Sequence, residues 1–224
     1  MRILPTIALI ALACIAAAQD SVVANSKVDI TRKYKTGAVH KYRLVAKIVQ
    51  GAEMVLKGVI ETKVAKELEK GKADLDVKCL EFSQSANGQE GGEPPENGTA
   101  TFDVNGMPKG LHVDNNSAIY VALAIATYVP GKGVSVNEEY KIEWKGVEGG
   151  SIAGTGRLTE VKEVNGKKIG VLKSKMSVSP ANDDTPAELE VMAEIDLSDG
   201  SLLKASVKGH IGDGDVTYTV EAIK

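Results

Sequence analysis

Residues 41–64 read KYRLVAKIVQGAEMVLKGVIETKV, and the alternation in this stretch decides the fold. Tyr42, Leu44, Ala46 and Ile48 fall on one side, with Lys41, Arg43 and Lys47 on the other. Beyond Gly51, Met54, Leu56, Gly58, Ile60 and Val64 continue the apolar side against Glu53, Lys57, Glu61 and Lys63. A period of two is the mark of a strand with one face in the core and one in water. Ala73, Leu75, Val77 and Cys79 against Asp74, Asp76 and Lys78 repeat it. The same reading predicts strands around 137–145, 151–164, 167–178, 187–197, 201–211 and 215–223.

The breaks between these runs have turn chemistry. Glu69-Lys70-Gly71, Asn165-Gly166, Ser198-Asp199-Gly200 and Gly212-Asp213-Gly214 supply residues that accept positive φ in tight hairpins. Short links favour antiparallel neighbours, since a parallel pair needs a long crossover. A meander follows.

One segment departs from the alternation. Residues 118–129 read AIYVALAIATYV, with Ser117 as a candidate cap and Pro130-Gly131 as a stop, which predicts a helix. It is apolar on nearly every side, so it belongs against the sheet or inside its concavity. Residues 84–98 contain Gly, Glu, Gln, Asn and two prolines with few apolar anchors, and are expected to be a mobile loop. Residues 179–186 form a smaller polar loop.

The two halves match in spacing. Tyr42 precedes Gly58 by the same 16 residues that separate Tyr140 from Gly156. Turns follow at Gly71 and Gly166, and Phe102-Asp103-Val104-Asn105-Gly106 corresponds to Ile195-Asp196-Leu197-Ser198-Asp199-Gly200. The interval from Gly71 to Gly106 is 35 residues and that from Gly166 to Gly200 is 34. The expected fold class is therefore mainly β: a curved antiparallel sheet or half-barrel built from two similar meanders, with one central packed helix. The pseudo-repeats cover about 38–111 and 136–205 within a single domain at 28–224.

The N-terminus has the form of a secretory signal. Arg2 is basic, residues 3–15 are largely apolar, and Ala16-Ala17-Ala18 gives small residues for cleavage before Gln19. Residues 1–18 are read as the signal and 19–27 as an N-terminal extension. The destination is periplasmic or extracellular. Anchoring by a lipid on Cys14 is disfavoured, because Ala11 stands where such a signal needs a large apolar residue. Cleavage leaves Cys79 as the sole cysteine, so no internal disulfide holds the fold. It also removes Arg2 and no acid, leaving 26 basic against 30 acidic side chains and a formal charge of −4. The lysines are dispersed rather than blocked, which argues against nucleic acid as a partner. After the signal, no run is long and apolar enough to span a membrane.

Chemistry-bearing residues do not cluster. His40, His112 and His210 are far apart in sequence; His112 and Asp114 could share a face, but nothing nearby completes a metal site or a base–orienter pair. Asp103-Val104-Asn105-Gly106, Asp196-Leu197-Ser198-Asp199-Gly200 and Asp213-Gly214-Asp215 lack the ligand succession of a calcium loop and read as turns. Gly149, Gly150, Gly154 and Gly156 lack the lysine of a phosphate loop. Cys79 lies on an apolar side, as an inert thiol does. Trp144 fits a core or rim position beside Tyr140 and Ile142. No catalytic, cofactor-binding or metal residue is assigned, and no cofactor is expected.

Phe102-Asp103-Val104-Asn105-Gly106, residues 128–134 (YVPGKGV) and Glu139-Tyr140 together resemble a bacterial exported β-rich protein family of unassigned function. More distantly, the layout is similar to the lipoprotein-carrier half-barrels. That second resemblance implies an apolar concavity that accepts acyl chains and transfers no catalytic residue. Such carriers have two or more helices, and this chain offers one. The functional expectation is a non-enzymatic exported binding or cell-envelope-associated protein, with a protein or an apolar small molecule or lipid as partner. The alternatives are a carrier of acyl chains or another apolar ligand, and a hydrolase-like enzyme whose site is assembled from distant strands.

Overall fold

The computed structural model describes residues 26–109, 118–145, 150–179 and 186–224. The signal-like segment, Cys14, and His112 with Asp114 lie outside the described residues, as does most of the polar loop at 179–186. The chain enters through a short strand, β1 (Val28–Ile30). The first meander follows as β2 (Val39–Gln50), β3 (Ala52–Glu67), β4 (Ala73–Ala86), β5 (Gln89–Gly91), β6 (Gly98–Phe102) and β7 (Pro108–Lys109). Helix α1 (Ala118–Thr127) and β8 (Lys132–Val134) come next. The second meander is β9 (Glu139–Lys145), β10 (Ser151–Val164), β11 (Lys167–Ser179), β12 (Ala187–Asp196), β13 (Leu202–Ile211) and β14 (Gly214–Ile223). The strands predicted from alternation in this half coincide with these to within two residues.

Twelve strands form one antiparallel sheet in the order β7-β6-β4-β3-β2-β14-β13-β12-β11-β10-β9, with β5 paired to β4. The meanders join where β14 runs beside β2, with Leu44 opposite Val220. β1 and β8 make a separate two-stranded ribbon. The sheet is curved and open, not closed into a barrel. Its two edge strands meet through one side chain, the Trp144 indole N–H donating to the Pro108 carbonyl at 3.2 Å. Trp144, read as a core or rim residue, is half-buried against the core at this edge.

The apolar sides of the long strands face one main core, with Val64, Ala73 and Leu75 in a small second cluster where β3 passes into β4. Tyr42, Leu44, Ile60, Ile142, Leu158, Leu172, Val191, Val207 and Val220 all point into the main core and are buried. Helix α1 lies in the same core: Ile119, Leu123, Ile125 and Ala126 are between 1% and 6% exposed. The concave face is thus filled by the protein's own helix. Gly58 leaves the room, since a Cβ there would overlap Cδ1 of Ile119. Beyond the helix, the Val129 N–H donates to the Asn105 carbonyl and the Asn105 amide returns a bond to the Val129 carbonyl, each at 2.9 Å. These bonds tie the helix exit to the β6–β7 turn.

The matched halves agree in their turns more than in their pairing. Gly71 and Gly166 both have positive φ (70° and 75°), as do Gly106 and Gly200 (79° and 72°). Asp103 and Asp196 both accept bonds from backbone N–H groups two residues ahead, at 2.9 and 3.0 Å. Tyr42, however, stands opposite Ile60, whereas Tyr140 stands opposite Gly156, a two-residue difference in register. The likeness is one of turns and spacing, not of hairpin register.

Residues 84–98 need correction from the loop expected on composition. β4 runs through Ala86, Asn87-Gly88 turns at positive φ, and β5 pairs back onto β4. The remainder is anchored: Pro95 is buried, Tyr120 donates to the Glu96 carbonyl at 3.1 Å, and Asn97 accepts the Cys79 N–H at 2.9 Å. Polar composition misled because the anchors are one proline, one backbone carbonyl and one side-chain amide, not a run of apolar side chains.

Candidate functional site

Because successive strand residues face opposite ways, the sheet that packs α1 on one side presents a second, water-facing side. On that side a trough of about 990 Å³ crosses seven strands, β9 through β14 and β2. A twisted sheet is saddle-shaped, so a face that bulges around the core in one direction is hollow along another. With strands roughly 4.8 Å apart, six spacings give the trough a length of roughly 29 Å.

Register fixes which side chains stand together. One row runs Thr155–Lys175–Glu190–Lys208–Thr217–Lys47, each residue directly opposite the next. The row beside it runs Glu139–Arg157–Lys173–Met192–Ser206–Thr219–Val45. Along each strand the two rows are two residues, or roughly 6.6 Å, apart. This second row is apolar in its middle, at Met192 (49% exposed), and at one end, at Val45 (38% exposed).

Five basic groups line the trough (Lys47, Arg157, Lys173, Lys175, Lys208) against two acidic ones (Glu139, Glu190). The chain as a whole carries −3, so this face has the opposite sign to the molecule. Glu190 is clamped between Lys175 and Lys208, each at 3.2 Å, and Arg157 meets Glu139 at 3.1 Å. Hydrogen bonds from Lys175 and Lys208 hold the Glu190 carboxyl below the usual carboxylate range. Lys173 stands between Arg157 and Met192 and forms no ion pair among the described residues. Exposed pairs of this kind add little to stability, so their charge is available to something that displaces them.

The residues singled out from sequence lie elsewhere. His210 pairs with Asp215 across β13 and β14 at 2.7 Å, both about 70% exposed and outside the lining of the trough. His40 stacks on Tyr42 with ring centroids 6.3 Å apart. Burial, followed by the nearby Arg32 charge, lowers its pKa from the ordinary histidine value. The Cys79 thiol contacts the Glu81 carbonyl at 3.2 Å, and burial pushes its pKa up, away from reactivity. The Asp103 carboxylate is spent on its own turn, and that of Asp196 on its turn and on Lys167 at 2.9 Å. Among the described residues no group of three or more His, Cys, Asp or Glu is placed to hold a metal ion, and no helix is long and apolar enough to cross a membrane.

What sequence reading missed is the assembly of the trough. Lys47 was legible as outward-facing; which residues stand opposite one another follows from the pairing of β9 through β14 and of β14 with β2. No family model, curated protein or solved structure matches the chain.

Proposed function

We propose that this protein is an exported, non-enzymatic binding protein of the cell envelope that takes an extended acidic polypeptide across its outer trough. The observation that carries the reading is charge of the wrong sign in the right shape: a net-basic hollow on a net-acidic chain. Complementary potential steers a partner and fixes its register, while the exposed Val45 and Met192 offer apolar contact once it is seated. A length of roughly 29 Å matches about eight or nine residues of extended chain. The hydroxyl groups of Thr155, Ser206, Thr217 and Thr219 supply donors and acceptors between the charged groups.

Carriage of acyl chains has less support. It requires α1 to leave a core in which Ile119 and Ala126 are each 1% exposed. An enzyme assembled from distant strands draws no support from the described residues.

The test is fluorescence anisotropy of a labelled oligoglutamate peptide, with an oligolysine peptide as control. The reading expects saturable binding of the acidic peptide, weakening as salt rises because exposed charges are screened beyond about 8 Å at physiological ionic strength. Equal binding of both peptides, or binding of neither, overturns it.

A further inference from the structure

Arg32 is out of keeping with its surroundings. It follows β1, is 9% exposed, and its Nη1 donates to the Gly200 carbonyl at 2.8 Å. No carboxylate comes within ion-pairing distance of it among the described residues. A guanidinium keeps its charge at any accessible pH, and a buried charge without a counter-charge is costly. Close by, the oxygens of Tyr34 and Tyr42 face the guanidinium; Tyr34 donates to the Asp103 carbonyl at 2.8 Å, whereas the fully buried Tyr42 O–H has no acceptor.

Both residues line the same internal cavity, of about 20 Å³, between α1 and strands β2, β3, β4 and β6. Its polar lining is otherwise Thr62, Thr127 and Tyr120, and the rest is apolar. Thr62 already donates to the His40 carbonyl and Thr127 to the Ala124 carbonyl. Tyr120 donates to the Glu96 carbonyl. What remains unmatched is the charge of the guanidinium, whose hydrogen bonds go to the Gly200 carbonyl and to the neutral Tyr34 and Tyr42 hydroxyls, and the Tyr42 O–H as a donor. The space is large enough for one water-sized particle, since such a site needs only about 10–15 Å³.

We infer that this cavity is a binding site for a single halide ion. A monatomic anion accepts from Arg32 and Tyr42 together and supplies the missing negative charge; a water molecule does the first and not the second. The ion sits where β1's continuation, α1 and the first meander converge, so its binding is linked to folding.

Thermal unfolding of the purified protein at constant ionic strength, exchanging gluconate for bromide, reads the linkage. Bound halide raises the midpoint by roughly 2–4 °C on going to about 0.2 M bromide. The general salt order runs the other way, because weakly hydrated anions are not excluded from protein surface as kosmotropes are. Tyr42→Phe keeps the packing volume and removes one donor, and at least halves the bromide-dependent rise. A bromide-soaked crystal shows an anomalous peak beside Arg32. A midpoint that does not rise with bromide, an equal rise in Tyr42→Phe, or a water in place of the anomalous peak each overturns the inference.

Discussion

The two faces of one sheet, built from alternate residues of the same strands, do different work. The inner face carries Leu44, Ile60, Leu158 and Val207 and is sealed by a helix; the outer face carries Lys173, Lys175, Lys208 and Met192 and is open to water. Inner positions are held by packing at near-crystalline density, where a lost methylene leaves a void. Outer positions are constrained by little except register, and so are free to serve a partner. Substitution on the inner face should therefore read out as stability, and on the outer face as binding.

The sharpest way to break that division is at α1. Leu123 is 6% exposed in the middle of the core, so Leu123→Ala should cost roughly 2–5 kcal/mol in denaturant unfolding, through lost transfer energy and a cavity. Leu123→Asp should prevent folding, because it buries a carboxylate without a partner. A Leu123→Ala protein of near-normal stability would mean that the helix is a lid and not a core element.

The turns give the next test. Gly200 has a φ of 72°, and a Cβ there would run into the Thr31 carbonyl and stand 3.1 Å from the Arg32 nitrogen. Gly166 has a φ of 75° and nothing within 4 Å. Gly200→Ala should therefore cost roughly 2–4 kcal/mol and Gly166→Ala only about 1 kcal/mol, the latter from backbone strain alone. Equal losses at the two sites would show that the clasp of the Gly200 turn on residues 31–33 contributes nothing.

These contrasts also mark what the sequence made legible. Alternation located the strands, and Asn165-Gly166 located a hairpin, because both signals are local. The helix was legible from its uniform apolarity, and that same uniformity placed it inside the sheet. The ordering of 84–98 was not legible, because Pro95, the Glu96 carbonyl and the Asn97 side chain act through distant partners. Nor was the trough: Lys175, Glu190 and Lys208 are dispersed in sequence and become a row only through strand pairing. Arg32 has no local signal either, since its environment comes from Gly200, Tyr42 and the helix.

A smaller effect separates a buried carboxylate from an exposed one. Burial acts to raise the Asp196 pKa, but bonds from Ser198 and Lys167 outweigh it and hold the group below the ordinary aspartate value. A carboxyl depressed in the folded state adds stability that is present above its unfolded pKa of about 3.9 and is lost as pH falls through the folded value. Asp196 is 4% exposed, so Asp196→Asn should lower stability at neutral pH and flatten its decline below about pH 4. Glu190, 49% exposed on the outer face, has the same direction of shift, but solvent screens its partners. Glu190→Gln should leave the acid limb of the stability curve nearly unchanged. Urea titrations at a series of pH values compare the two; matching acid limbs would erase the distinction.

The most direct test joins binding and stability in one variant. Lys173→Gln, Lys175→Gln and Lys208→Gln together remove three of the five positive charges of the trough without adding a like-charge clash. Oligoglutamate affinity by anisotropy should fall roughly tenfold or more, while the unfolding free energy changes by no more than about 1 kcal/mol. Unchanged affinity, or a loss of binding that tracks a loss of folding, would contradict the assignment of the outer face to the partner.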